Sequence, residues 1–150
     1  MGRETSRRAR DSLAVSMQAI ADTGYLVALL RRDDEHHPWA KGVAGQVELP
    51  LLTCEAVLAE SAFHLGSSIY LLEMLKQGVI RVAFDCSRHL ENLKELAQRY
   101  ADRRPDLADL CLIRMSELYP RHSVITVDEA DFRVYRRNKR EVIPTICPPN

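Results

Sequence analysis

The 150-residue chain has no cysteine pair spaced as C-x-x-C. Its four cysteines, Cys54, Cys86, Cys111 and Cys147, stand 32, 25 and 36 residues apart, which argues against a thiolate zinc site. Before Asp22 there is no apolar core of a secretory signal, and no stretch approaches the ~18 apolar residues of a membrane helix. The thiols therefore read as reduced, small hydrophobes of a cytoplasmic protein. Net charge is also lacking: 21 Lys and Arg balance 21 Asp and Glu. No whole-molecule basic field recruits a polyanion, so any polyanion site must rest on local charge separation. Glycine and proline are few, 6 and 7, and no repeat or linker is visible, which excludes collagen-like and low-complexity classes.

What is present is an ordinary globular composition, 46% hydrophobic and 28% charged. Its length suits a single domain that buries roughly 68–70% of the unfolded surface. Residues 1–16 carry Arg3, Arg7, Arg8 and Arg10 against Glu4 and Asp11 and show no apolar period. They read as a flexible basic leader, with Met17 as an alternative natural start. That leaves residues 17–150 as the domain, with a net charge of −2.

From Met17 on, strand and helix patterns alternate. Gln18–Asp22 reads as a strand ending on an acid, and Tyr25, Leu26, Leu29 and Leu30 form one helical face. Asp33-Asp34 is expected to cap a helix through about Val47, with Pro38 in its first turn. A buried strand follows over Leu49–Thr53. Then come helices marked by Val57, Leu58, Ala62 and Leu65, and by Leu71, Leu72 and Leu75, each stopped by a glycine. Val79–Phe84 is a strand, Ser87 the expected cap of the helix of Leu90, Leu93, Ala97 and Tyr100. Arg103-Arg104-Pro105 breaks the chain before the helix of Leu107, Cys111, Met115 and Leu118. Ser123–Val127, a short helix from Glu129 to about Tyr135, and a strand over Val142–Ile146 complete the pattern. Strands separated by helices pair in parallel and imply a three-layer α/β/α sandwich around a central, mostly parallel sheet.

Ligands of such sheets bind beyond the carboxyl ends of the strands. Asp22 and Asp128 follow strands. Glu60 lies on the helix after the second strand, and Asp109 in the first turns of the helix before the fourth. Four carboxylates from four segments that meet at one edge would repel one another and raise their own pKa values. A hard divalent cation, Mg²⁺ or Mn²⁺, resolves that conflict, activates water and neutralises a phosphodiester under attack. Taken singly, each acid has a plainer role. An Asp at a strand end commonly caps a helix or forms a turn, and Glu60 can be a solvated helix residue. Glu55 competes with Glu60, although the helix dipole suffices to explain an acid in a first turn. Asp106 and Asp109 form an i, i+3 pair in which one can cap and the other ligate; Asp131 stands in the same relation to Asp128.

The segments IADTGYLVALL, DDEHHPWA, LTCEAVLAE, DLADLCLIRMSEL and ITVDEADF, in that order, resemble the PIN domain, and within it the VapC-type toxins of toxin–antitoxin pairs. The resemblance runs from about Met17 to Ile146. It implies an α/β/α fold, a Mg²⁺- or Mn²⁺-dependent endoribonuclease, and a catalytic and metal-holding quartet of Asp22, Glu60, Asp109 and Asp128. Asp22 and Asp109 would be the firmest ligands, and Glu60 and Asp128 would act partly through water. Asp106 and Asp131 are auxiliaries, and Thr126 a hydrogen-bonding neighbour within the site. It further implies a homodimer and a cognate antitoxin; the apolar surface of the helices around residues 54–77 is the expected contact for both. Two features depart from the family pattern: Gly24 stands where an Asn is usual, and Leu112, Ile113, Arg114 and Met115 are bulky where small residues are usual.

Arg133, Arg136, Arg137, Lys139 and Arg140 place five cations within eight residues after the Asp128 loop. They read equally as RNA-phosphate contacts beside an acidic site or as a solvated helix end. Arg31-Arg32 and Arg103-Arg104 are weaker candidates. His36, His37 and Trp39 read as a helix start packed on the domain, and His64, His89 and His122 receive no catalytic role. Two rival functions remain: a PIN-like RNA-processing nuclease without an antitoxin, and a non-catalytic RNA- or protein-interaction module. Phosphatase chemistry of the haloacid-dehalogenase type needs a second Asp two residues after the first, where Gly24 stands.

Overall fold

Short segments too brief to be stable alone line up as the strands of a computed structural model that describes residues 17–150. They are β1 (Ala19–Ala21), β2 (Leu51–Thr53), β3 (Ile80–Val82), β4 (Ser123–Ile125), β5 (Arg136–Arg137), β6 (Glu141–Val142) and β7 (Thr145–Ile146). Five of them form one parallel sheet in the order β3-β2-β1-β4-β7. Every residue of β1 and β2 is buried, the continuous apolar reading expected when both faces of a parallel sheet are covered. The expectation for residues 1–16 lies outside the described residues.

Seven α-helices accompany the sheet among the described residues: α1 (Thr23–Leu30), α2 (His37–Ala44), α3 (Glu55–Leu65), α4 (Ile69–Lys76), α5 (Leu90–Arg99), α6 (Leu107–Leu118) and α7 (Glu129–Val134). Helix α1 packs on α2 and α3, while α6 packs on α5, β1 and β4. The protein is thus α/β with a central five-stranded parallel sheet, compatible with three layers. None of these helices is long and apolar enough to cross a membrane. Left-handed glycines, Gly66 and Gly78, end α3 and the turn after α4, where a Cβ would be strained.

The bulky run on α6 is the floor of the fold. Leu112, Ile113 and Met115 are fully buried with Ile20, Tyr25, Val124 and Ile125, whereas Arg114 turns away to pair with Glu117 at 3.1 Å. Burying three such side chains contributes several kcal/mol, at roughly 1.5–3 kcal/mol each.

Four expectations about local structure are corrected. The helix expected from Asp33 begins only at His37, because the Asp34 carboxylate accepts the His36 N–H at 2.8 Å and closes a turn first. That helix ends at Ala44, and Val47 instead bridges in parallel to Met17. Strand β2 starts at Leu51, whose N–H donates to Val79 O, since Pro50 before it has no N–H to give a ladder. Ser87 does not cap α5: it lies in a 3₁₀ turn, Cys86–Arg88, whose cap is Asp85, and α5 starts at Leu90. The strand expected over Val142–Ile146 is split. Glu141–Val142 pairs antiparallel with Arg136–Arg137 through a turn in which Asn138 and Lys139 take positive φ, and only Thr145–Ile146 reaches the main sheet beside β4.

Candidate active site: an acidic cleft at the reversal of strand order

After β1 the chain adds strands on one side, β2 and β3; with β4 it crosses to the other. The crevice beyond the carboxyl ends of β1 and β4 is therefore a topological switch point, where ligands of open α/β sheets bind. Asp22 is the residue after β1, and Thr126 and Asp128 follow β4. A cavity of about 640 Å³ opens there. Its walls carry Asp22, Glu60, Asp106, Asp109, Asp128 and Asp131.

Asp22 is the anchor. It caps α1, its Oδ1 accepting the Thr23 N–H at 2.6 Å, while Oδ2 accepts the Thr126 hydroxyl at 2.7 Å. Thr126 in turn accepts the Asp128 N–H at 2.9 Å, so one buried hydroxyl ties the ends of β1 and β4 together. Thr23 donates its hydroxyl to Glu60 Oε2 at 3.3 Å, which draws α3 into the same wall. Glu55 lies one and a half turns away and lines a different cleft. Asp106 caps α6 by accepting the Asp109 N–H at 2.8 Å, and Asp109 answers with a longer contact to the Asp106 N–H, a capping box. The N-cap position falls to Asp106, while both carboxylates serve the capping box and both residues line the cleft.

These acids are held at a cost. Burial pushes the Asp22 carboxyl up to about 6, with Glu60 and Asp128 adding to the rise and the Thr126 and Thr23 hydrogen bonds opposing it. Burial and then the charges of Asp106, Asp22 and Asp128 push Asp109 up to about 7. Asp128 is raised by burial and by its hydrogen bond to Asp131. Desolvated like charges with elevated proton affinity in a cleft are the features of a candidate functional site. The donor set is all oxygen, the chemistry a hard divalent cation takes. Among the described residues, however, no three His, Cys, Asp or Glu side chains stand close enough to ligate one ion together.

Arg104, a weaker basic candidate in the sequence, lines the cleft, and so do Asp34, Glu35, His36 and His64, none of which the sequence assigned to the site. His64 lies one turn after Glu60, 3.9 Å from it, a spacing that was legible; Asp34, Glu35 and His36 come from a turn the helix pattern concealed. The basic candidates divide in an unexpected way. None of Arg133, Arg136, Arg137, Lys139 and Arg140 lines the cleft. Arg133 pairs with Glu129 at 2.6 Å, and Arg136 donates to the carbonyls of Arg133, Val134 and Tyr135. Arg137 donates to the carbonyls of Ser116 and Pro120 and pairs with Glu141. Lys139 and Arg140 are exposed. The cations nearest the acids are Arg104 and Arg103, the latter 3.4 Å from Asp131.

Gly24 has a physical reason here. A Cβ at that position would collide with Cγ2 of Val127, so Val127 fills the space that a side chain at position 24 would use. No protein-family model matches the chain, and no curated protein matches its sequence.

Proposed function

We propose that the protein is a PIN-like, Mg²⁺- or Mn²⁺-dependent endoribonuclease that hydrolyses RNA phosphodiester bonds and acts in the cytoplasm as the toxin of a type II toxin–antitoxin pair. One observation carries the reading: the four acids that the motif order singles out, Asp22, Glu60, Asp109 and Asp128, share one cleft at the switch point of a parallel sheet. When bound, the cation supplies a Lewis acid that activates water and offsets charge at phosphorus. Asp22 and Asp109 hold it. Both are pre-set by backbone hydrogen bonds, Asp22 additionally by Thr126. Glu60, restrained by Thr23, and Asp128 orient water, while Asp106 and Asp131 keep their neighbours in place. These carboxylates would supply the oxygen donors that such a cation takes. Arg103 and Arg104 position the scissile phosphate, with Lys139 and Arg140 as more distant contacts to the RNA backbone. The apolar side chains exposed on α3 and α4, Phe63, Ile69, Tyr70 and Leu72, are the surface we assign to the second copy and the antitoxin.

The test is cleavage of structured RNA by purified protein, with activity in Mg²⁺ or Mn²⁺ and none in chelator. Asp22→Asn and Asp109→Asn are each expected to lower the rate at least ~10²-fold; unchanged rates would refute the site. That no three-ligand group stands ready among the described residues is the observation behind a second reading, an interaction module that binds RNA or protein without cutting. Calorimetric titration with Mn²⁺ separates the two, since the module takes up none.

A further inference from the structure

Away from the acidic cleft, three of the four cysteines gather between the sheet and α6. Cys86 Sγ lies 3.4 Å from Cys111 Sγ, and Cys54, at the N-cap of α3, is buried with Cys111 in the same core. All four cysteines are free thiols. Access to the three differs sharply. Cys54 and Cys111 are 1% and 0% exposed, whereas Cys86 is half-buried in a three-residue 3₁₀ turn; Cys86 and the nearly inaccessible Cys54 both line a cavity of about 700 Å³ with Phe84, Arg88, His89 and Tyr119. That cavity is distinct from the acidic cleft: no residue lines both.

We propose that Cys86 and Cys111 form a reversible oxidation site, in which Cys86 reacts with a hydroperoxide and Cys111 resolves the product as an intramolecular disulfide. The proposal does not depend on the nuclease reading. Its first step needs an accessible sulfur, and of the clustered thiols Cys86 is the one with an open approach. The Cys86 sulfur attacks one peroxide oxygen, the O–O bond breaks, and the thiol proton leaves with the departing oxygen, giving a sulfenic acid and water or an alcohol. Cys111 then attacks that sulfur, the S–O bond breaks, and a second water departs. The two thiols give up two electrons and the peroxide takes two. A disulfide is about 2.05 Å long, so the sulfurs must approach by only about 1.4 Å. The resolving thiol is already in contact, which favours the disulfide over further oxidation to the irreversible sulfinic acid. The bond would join the Asp85–His89 turn to α6, two residues beyond Asp109.

The experiment exposes the intact protein to one equivalent of hydrogen peroxide at neutral pH, then alkylates it under denaturing conditions for intact-mass and non-reducing peptide analysis. The expected result is a loss of two of the four alkylatable thiols, a monomer lighter by two hydrogens, one Cys86–Cys111 crosslinked peptide, and full recovery with dithiothreitol. Cys86→Ser should leave its three remaining thiols alkylatable at the same dose. Cys111→Ser, with its fold checked by circular dichroism, should stop at a sulfenic acid that dimedone traps on Cys86. Cys147→Ser should pair as the parent does. A Cys54–Cys111 link, a Cys147-linked dimer as the main product, or sulfinic acid on Cys86 with Cys111 still free would each overturn the proposal.

Discussion

Replacing Asp22 with Asn tests whether the cleft is held together against its own charge. Asp22 is 8% exposed, and its carboxyl is pushed from 3.8 up to about 6, first by burial. At ~1.36 kcal/mol per pKa unit, the ionised group costs the folded state about 3 kcal/mol. The sign follows from linkage. The folded value lies above the unfolded one, so below pH ~4 both states are protonated and no cost appears. Between pH 4 and 6 the unfolded chain loses its proton first, and stability falls; above pH 6 the cost is fully present. Asn is nearly isosteric and keeps an oxygen for the Thr23 N–H, but it weakens the pairing with Thr126 by about 1 kcal/mol. Urea denaturation in chelator should therefore find Asp22→Asn about 1–2 kcal/mol more stable than the parent at pH 8. The gap should shrink as pH falls from 6 and reverse near pH 4, where only the weakened Thr126 pairing remains. Millimolar Mn²⁺ should stabilise the parent and not the variant, by mass action on the folded state alone. A variant less stable than the parent at pH 8, or a difference that does not change with pH, would refute the reasoning.

Gly24→Ala should destabilise by about 1–2 kcal/mol through overpacking against Val127; in a Val127→Ala background the same change should be neutral or gain up to ~1 kcal/mol of helix propensity, read by the same denaturation series. Arg137→Ala removes hydrogen bonds to the Ser116 and Pro120 carbonyls and the pair with Glu141, and should lower stability by about 1–3 kcal/mol. The Lys139→Ala, Arg140→Ala double variant should shift stability by no more than ~0.5 kcal/mol. If the exposed hairpin touches RNA, that variant should reduce the salt dependence of RNA binding by up to about two counterions, measured by fluorescence anisotropy at several salt concentrations.

Much of the architecture was legible because burial on both faces leaves a plain mark. The strands around Ile20, Leu52, Ile80 and Val124 are apolar runs between helical periods, and their parallel pairing follows from the helices between them. Local competition was less legible. The Asp34 side chain captures the His36 N–H in a turn ahead of the helix it was expected to cap, and the Asp85 side chain captures the Ser87 N–H, so Asp85 and not Ser87 is the cap there. The last strand divides because Arg137, anchored to Ser116 and Pro120, holds a hairpin that no hydrophobic period announces.

The acids themselves were visible as residue types at strand ends and in a first helical turn. Whether Glu55 or Glu60 enters the cleft, whether Asp106 or Asp109 caps α6, and which cations stand beside them depend on where helices lie across the sheet. The balanced charge of the chain concealed all of this. The sequence by itself determined the alternation of strands and helices, since periodicity and burial are written residue by residue. Only the tertiary structure decided that Asp22, Asp109 and Asp128 share desolvated space while Arg136 and Arg137 spend their charge on backbone carbonyls. The physical reason is that desolvation, like-charge proximity and side-chain hydrogen bonds are properties of distances between segments, and a linear sequence does not contain them.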